Sequence, residues 1–382
     1  MDTNALLSGY DLTKLTVGVL GGHSALDVSH GAKQWDFSTL CVARKGREKT
    51  YTKYFKSREG DGGVAKGSID EVITVDQFPD ILKEEVQEKL RKLNTIFVHN
   101  RYFWVYFDDF KKVENDFNVP IFGSRTLLKL EERDQPYNQY HLLRDAGIRT
   151  PKIFAKPEEI DRPVLVKASE AHRGYERAFF LAKDRQEWES LGSQLENTGK
   201  VTAGWRTAPI EELIIGAPVN FNYFYSALTG ELELMGTDTR RQTNLDGVLR
   251  LPSAQQAQVL SRIPLKMIET GHIACTVKES LLEKAFEMGE KFVAATQKLP
   301  KELDPSGKGI IGPFALQGAV VAEEGKEDIV IFDVSLRIPG SPGTAATPYS
   351  GYLYGQSLSV GERVGMELRK AVEEGAVEKI IT

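Results

Sequence analysis

The chain has 382 residues, 41% of them hydrophobic and 27% charged, enough to bury an ordinary core and too apolar for a disordered tail. Its 49 Lys and Arg against 54 Asp and Glu leave a net charge of −5, which excludes a protein held to nucleic acid or anionic lipid by bulk charge. The two cysteines, Cys41 and Cys275, exclude a disulfide or zinc framework and read as reduced core thiols.

The start, Met1-Asp2-Thr3-Asn4, lacks the basic residues and apolar run of a signal peptide. No stretch approaches the roughly 18 apolar residues of a spanning helix, so the expected setting is the cytoplasm, with no membrane and no nucleic-acid partner. In chain order, Thr16–Leu20 reads as a buried strand, Gly21-Gly22 as a turn, Ser24 as the N-cap of a helix through Lys33, and 37–42 as a second strand. A second unit follows: a strand at 72–75, a helix over 80–93 with Leu82, Val86 and Leu90 four apart, then strands at 95–98 and 119–122. Strands separated by helices predict a parallel sheet covered on both faces.

Around Glu131 the pattern changes. A helix ends near Ala146-Gly147, an apolar strand at 163–167 stops at Lys167, and another strand covers 178–182. Alternation at 220–226, 232–236 and 247–251 predicts an antiparallel sheet, with long helices at 279–297 and 361–374. The fold class is α/β: an N-terminal, Rossmann-like parallel-sheet domain followed by a larger α+β region.

The turn Gly21-Gly22-His23-Ser24 precedes a helix, where unpaired N–H groups favour an anion, yet it lacks the glycine spacing of a dinucleotide fingerprint. The second strand ends in Arg44-Lys45-Gly46-Arg47 instead of an acidic residue, which suits a phosphorylated substrate; an ordinary turn and a solvated basic loop fit equally. Lys167 ends an apolar strand, placing a compact charge suited to nucleotide phosphates. Asp333, Ser335 and Arg337 have period two and share one face of an extended segment. With Gln317 they offer oxygen donors for Mg2+ and a guanidinium for a phosphoryl oxygen; the bland reading is a wet strand face. No Gly-x-Ser-x-Gly elbow or His-Glu-x-x-His helix supports a hydrolase. His99 and His272 each sit just beyond a strand-like run.

Lys167, Glu211-Glu212-Leu213 before a glycine, and Gln317 with Asp333-Val334-Ser335-Leu336-Arg337 together resemble an ATP-grasp ligase. More specifically, Leu20-Gly21-Gly22-His23-Ser24, Phe122-Gly123-Ser124-Arg125, Gly236-Thr237-Asp238-Thr239-Arg240 and Lys278-Glu279-Ser280-Leu281 resemble the archaeal PurP family. These are formate-dependent 5-formaminoimidazole-4-carboxamide ribonucleotide (FAICAR) synthetases. The resemblance implies a pre-ATP-grasp domain at 1–125, an ATP-grasp small lobe at 126–208 and a large lobe at 209–382. It implies a ligase that forms a C–N bond, converting 5-aminoimidazole-4-carboxamide ribonucleotide (AICAR), formate and ATP to FAICAR through formyl phosphate, with Mg2+ or Mn2+, in a homo-oligomer.

By that resemblance Lys167 binds ATP phosphates, Glu211, Glu212, Leu213 and Ile214 the adenine, and Gln317 with Asp333 the metal. His23 and Arg337 are the catalytic candidates. His23, Ser24, Arg240, Asn244, Arg250, Thr270 and Gly271 are the candidates for the substrate pocket. Two departures stand out: the phosphate-covering loop at 168–177 holds a single glycine, and Asn100-Arg101 replaces a Gly-Ser-like pair that lines the substrate region. They leave open a same-fold ligase for another carboxylate or ribonucleotide, or a non-catalytic purine-nucleotide-binding protein.

Overall fold

The computed structural model describes residues 3–382 apart from 108, 134, 169–178, 264–267 and 324. Five parallel strands form the first sheet, in the order Glu71–Val75, Ser38–Arg44, Thr16–Leu20, Thr95–Val98, Ile121–Phe122. All five residues of Thr16–Leu20 are buried, as expected for a central strand with helices on both faces. The chain reverses its direction of travel across the sheet between Thr16–Leu20 and Thr95–Val98. That switch point opens a crevice at the carboxyl ends of the two strands.

The helix Ala25–Gln34 covers one face and is crossed at close range by the helix Val360–Glu373. A Cβ on Gly31 would lie 2.1 Å from the carbonyl carbon of Gly361, so the crossing demands glycine. The far end of the chain adds to the sheet edge: Ile121 and Thr382 exchange backbone hydrogen bonds of 3.0 and 2.8 Å.

A four-stranded antiparallel sheet follows, ordered Phe179–Ala182, Val164–Lys167, Ile210–Glu212, Ile153–Phe154. Its core centres on Trp188 and Trp205. The largest sheet is antiparallel: Glu269–Cys275, Leu232–Gln242, Ala217–Tyr225, Gly312–Glu323, Lys326–Ser335. The helix Leu282–Gln297 packs on it, burying Ala285, Met288, Phe292 and Val293.

Two expected elements differ. The strand at 247–251 is instead the end of a helix, Thr243–Val248, because Leu249 N–H bonds Leu245 O at 3.0 Å and only Val248 is buried there. The helix over 80–93 is a 3-10 turn, Phe78–Leu82, and a helix, Glu84–Lys92, broken at Lys83, whose ψ of 134° is extended. Among the described residues no helix is long and apolar enough to cross a membrane.

Candidate functional site

The crevice at the switch point faces the largest sheet, and between them lies a small polar pocket. His23 and Arg101 line it from the parallel sheet, with Pro339 and Gly340; Asn220, Asn222, Asp238, Arg240, Glu269, His272, Gln317, Ser335 and Arg337 line it from the other side.

His23 stands at the glycine turn with a defined tautomer. The Ser24 hydroxyl donates to Pro339 O at 2.8 Å, because a carbonyl can only accept. The 2.6 Å contact between Ser24 Oγ and His23 Nδ1 therefore has Nδ1–H as donor. Nε2 is left as an acceptor facing Gly340, where an added Cβ would lie 2.7 Å from it. Burial first, then the charges of Arg337 and Arg101, hold the imidazole neutral. Gly340→Ala should therefore crowd Nε2 and weaken about 10- to 100-fold the binding of any ligand that bonds it, as calorimetry would read. Unchanged binding would show that Nε2 touches no ligand.

Across the pocket His272 is clamped. Nδ1 meets Asp238 Oδ1 at 2.5 Å and Nε2 meets Glu269 Oε1 at 3.0 Å. Asn220 and Asn222 each donate to Asp238 at 2.7 Å. Burial alone would depress the imidazole pKa, but the hydrogen bonds and charges of the two carboxylates raise it to about 9. Burial likewise opposes ionisation of Glu269, and His272 with Arg240 outweighs it, holding that carboxyl at about 2.

The folded pKa of His272 lies above the ordinary 6.5, so its stabilisation is complete below pH 6.5 and is lost as pH rises through 9. Between about pH 6.5 and 9.5 the protein should lose roughly 3 kcal/mol that a His272→Gln variant does not lose. Urea midpoints across that range measure it, and parallel curves for the two proteins would remove the clamp.

Arg240 connects this pocket to a second cluster. It donates to Gln317 Oε1, pairs with Glu269 at 3.3 Å and reaches Asp333 at 3.8 Å. Gln317 and Asp333 are cross-strand partners, so their side chains share a sheet face; Gln317 Nε2 donates to Ser335 Oγ at 2.9 Å. Arg133 holds Asp333 Oδ1 at 2.8 Å and donates to the Tyr140 hydroxyl at 3.0 Å; that hydroxyl donates in turn to Glu211. Lys167 pairs with Glu211 at 2.7 Å and donates to Phe332 O at 3.0 Å.

The Lys167 side chain is 3% exposed, so the charge that ends this strand is sealed by an ion pair. Burial lowers the lysine pKa and Glu211 only partly restores it. Lys167 and Asp333 nevertheless come together, since Phe332 O, which accepts from the ammonium, belongs to the residue before Asp333.

Other candidates lie further out. Glu212 faces the opposite way, paired with Arg162 at 2.9 Å. The N–H groups of Glu212 and Leu213 bond Lys152 O and Pro163 O, and Ile214 follows them, half-buried. Asn244 lies in the helix Thr243–Val248, Arg250 in the exposed turn after it, and Thr270 and Gly271 on the edge strand; none of these four lines the pocket. Arg337 lines the pocket, 6% exposed, its guanidinium 3.5 Å from Glu131. Glu131 also accepts Leu336 N–H at 2.6 Å. The covering loop lies outside the described residues except for Ala168, which is buried.

Reading the sequence missed Glu131, Arg133 and Tyr140 as partners of the site, and Glu269 as half of the clamp. Their signal is weak because each acts through a residue far away in the chain.

Among the described residues no group of three or more His, Cys, Asp or Glu side chains can hold a metal ion. Gln317 and Asp333 supply an amide oxygen and a carboxylate, a donor set that fits Mg2+ when nucleotide phosphates and waters complete the shell, once Arg240 releases them.

Two family models match the chain, described as a protein of unknown function (DUF1246) over residues 17–154 and a domain of unknown function (DUF1297) over residues 187–382. The 5-formaminoimidazole-4-carboxamide-1-(beta)-D-ribofuranosyl 5'-monophosphate synthetase of Methanocaldococcus jannaschii is 39% identical, covering 98% of this chain and 96% of its own. The protein of the same name from Methanopyrus kandleri is 35% identical, covering 99% and 98%. Among solved structures, the IMP biosynthesis protein PurP from Thermococcus kodakaraensis superposes with a TM-score of 0.69 at 25% identity, over 96% of this chain and all of that one. The ADP complex of an N5-carboxyaminoimidazole ribonucleotide synthetase superposes at 0.56 with 11% identity, over 91% and 78%, a likeness of fold alone. The α/β architecture is thus of ATP-grasp type, and the chain belongs to the PurP family of FAICAR synthetases.

Proposed function

We propose that this chain is an ATP- and formate-dependent ligase that converts AICAR to FAICAR, ADP and phosphate in purine biosynthesis. One observation carries the reading: the polar pocket at the switch point is wired through Arg240 and Asp333 to the buried Lys167–Glu211 pair. Full-length relatives with that named activity support it.

In this reading a formate oxygen takes the γ-phosphoryl group of ATP, releasing ADP. The 5-amino group of AICAR then attacks the formyl carbon of formyl phosphate; a C–N bond forms, the C–O bond to phosphate breaks, and the amine loses a proton. Lys167 would meet ATP phosphates once Glu211 yields, and Glu211, Glu212, Leu213 and Ile214 would line the base. Gln317 and Asp333 would hold Mg2+, which when bound neutralises charge on the transferring phosphoryl group. Arg337 would steady a phosphoryl oxygen and His23 the ribonucleotide, its neutral Nε2 suited to accept a hydrogen bond or proton from the amine. Arg240 would support the substrate directly and Ser24 through His23, whose Nδ1–H it accepts; Asn244, Arg250, Thr270 and Gly271 would do so only by moving inward.

Free thiols at Cys41 and Cys275 support a cytoplasmic setting. The homo-oligomer implied by the family belongs to the same reading and is tested by light scattering. Arg101 in the pocket favours one second reading, a same-fold ligase acting on a different ribonucleotide. Incubation with ATP, formate, AICAR and MgCl2 should yield FAICAR and formate-dependent ADP. Neither product overturns the proposal, and ADP release only with another ribonucleotide selects the second reading.

A further inference from the structure

Arg101 has an unusual position for a cation. Asn100, fully buried, donates to Leu20 O at 2.9 Å and accepts Tyr102 N–H at 3.0 Å, which pins the backbone of Arg101 beside the glycine turn. Tyr102 seals that turn from behind, since a Cβ on Gly22 would lie 2.1 Å from its ring. The Arg101 guanidinium thus enters the pocket on the same side as His23, next to Arg337.

Its surroundings do not satisfy it. Burial first and then Arg337 work against its charge. The carboxylates within electrostatic range are committed elsewhere, Glu131 to Leu336 and Arg337, and Glu269 to His272 and Arg240. Among the described residues none accepts a hydrogen bond from the Arg101 side chain. Arg337, itself 6% exposed, also keeps a buried Nε without a hydrogen-bond partner. Two neighbouring guanidinium groups, Arg337 buried and Arg101 half-buried, both with unspent donors, are costly to hold together unless an anion joins them.

A third feature points to the same place. The helix Ala25–Gln34 begins there without a side-chain cap, because Ser24 turns its hydroxyl to Pro339. The positive end of that helix therefore lies beside His23, which lines the pocket, with the Asp27 carboxylate in its first turn.

We propose that Arg101 is a specificity-determining residue that binds a phosphomonoester dianion, the 5′-phosphate of the ribonucleotide, between Arg337 and the start of this helix. The identity of the ribonucleotide rests on the proposed function; the recognition of a phosphomonoester does not. The acyl phosphate intermediate offers similar chemistry, so binding without turnover separates the two sources.

Calorimetry on the intact chain, with AICAR and with its dephosphorylated riboside, and with neither ATP nor formate, reads the contact directly. The wild-type protein should prefer AICAR by about tenfold or more. Arg101→Gln should weaken AICAR about 10- to 100-fold, leave the riboside within about threefold, and be partly rescued by Arg101→Lys. Equal losses for both ligands overturn the proposal, making Arg101 a packing residue. So does unchanged AICAR binding with lost inhibition by inorganic phosphate, which assigns Arg101 to the acyl phosphate. A wild-type chain that binds neither AICAR nor ribose 5-phosphate overturns it as well. A chain that binds AICAR through Arg101 yet makes no FAICAR fails the reaction and leaves this inference standing.

Discussion

Replacing Asp333 with asparagine should lower turnover about a thousandfold while the far-ultraviolet circular dichroism stays the same. The residue joins the two halves of the site. Arg133 approaches one of its oxygens at 2.8 Å and Arg240 the other at 3.8 Å, and Gln317 is its partner across the hairpin. Asparagine keeps the volume and can still accept one hydrogen bond. It removes the carboxylate of the proposed metal pair and leaves two neighbouring guanidinium groups without their shared counter-charge. ADP release measured over a MgCl2 titration tests this. Turnover near the wild-type value at every magnesium concentration would take Asp333 out of the site.

The largest loss of stability is expected at Arg363. Its guanidinium donates to both oxygens of Glu233, at 2.7 and 2.8 Å, and to Glu367 at 2.9 Å, and lies 4.1 Å from the centre of the Phe224 ring. Arg363, Glu233 and Glu367 are all buried, and Ser226 supplies a further hydrogen bond to Glu367 at 2.8 Å. This cluster ties the helix Val360–Glu373, and through it the parallel sheet, to the largest sheet. Arg363→Ala leaves two carboxylates facing each other out of water, and should cost about 3 to 5 kcal/mol in urea unfolding. Replacing all three charged residues with Met or Leu should cost far less, because no lone charge remains. A loss below about 1 kcal/mol for Arg363→Ala would mean that water reaches the carboxylates.

Much of the scaffold is legible along the chain for a simple reason. Thr16–Leu20 and Thr95–Val98 are buried on both faces, and such strands must be written as continuous apolar runs. Lys167 could be noticed because a charge ends one such run, and Asp333 and Ser335 because alternation puts both on one face. Residues 247–251 misled because five residues are too few to separate a strand from the last turn of a helix, and Val248 alone is buried there.

The pairing of charges is a different matter. Arg133 meets a carboxylate 200 positions away and Ser24 a carbonyl 315 positions away, and no local pattern records such contacts. By itself the amino-acid order determined where strands and helices form and which residue types stand at strand ends, since both follow from burial and backbone periodicity. Only the tertiary structure decided that Lys167 is sealed by Glu211, that His272 keeps its proton between two acids, and that Arg101 enters the pocket with its donors unspent. Those states depend on which charges are brought together away from water, and that distance is set by packing.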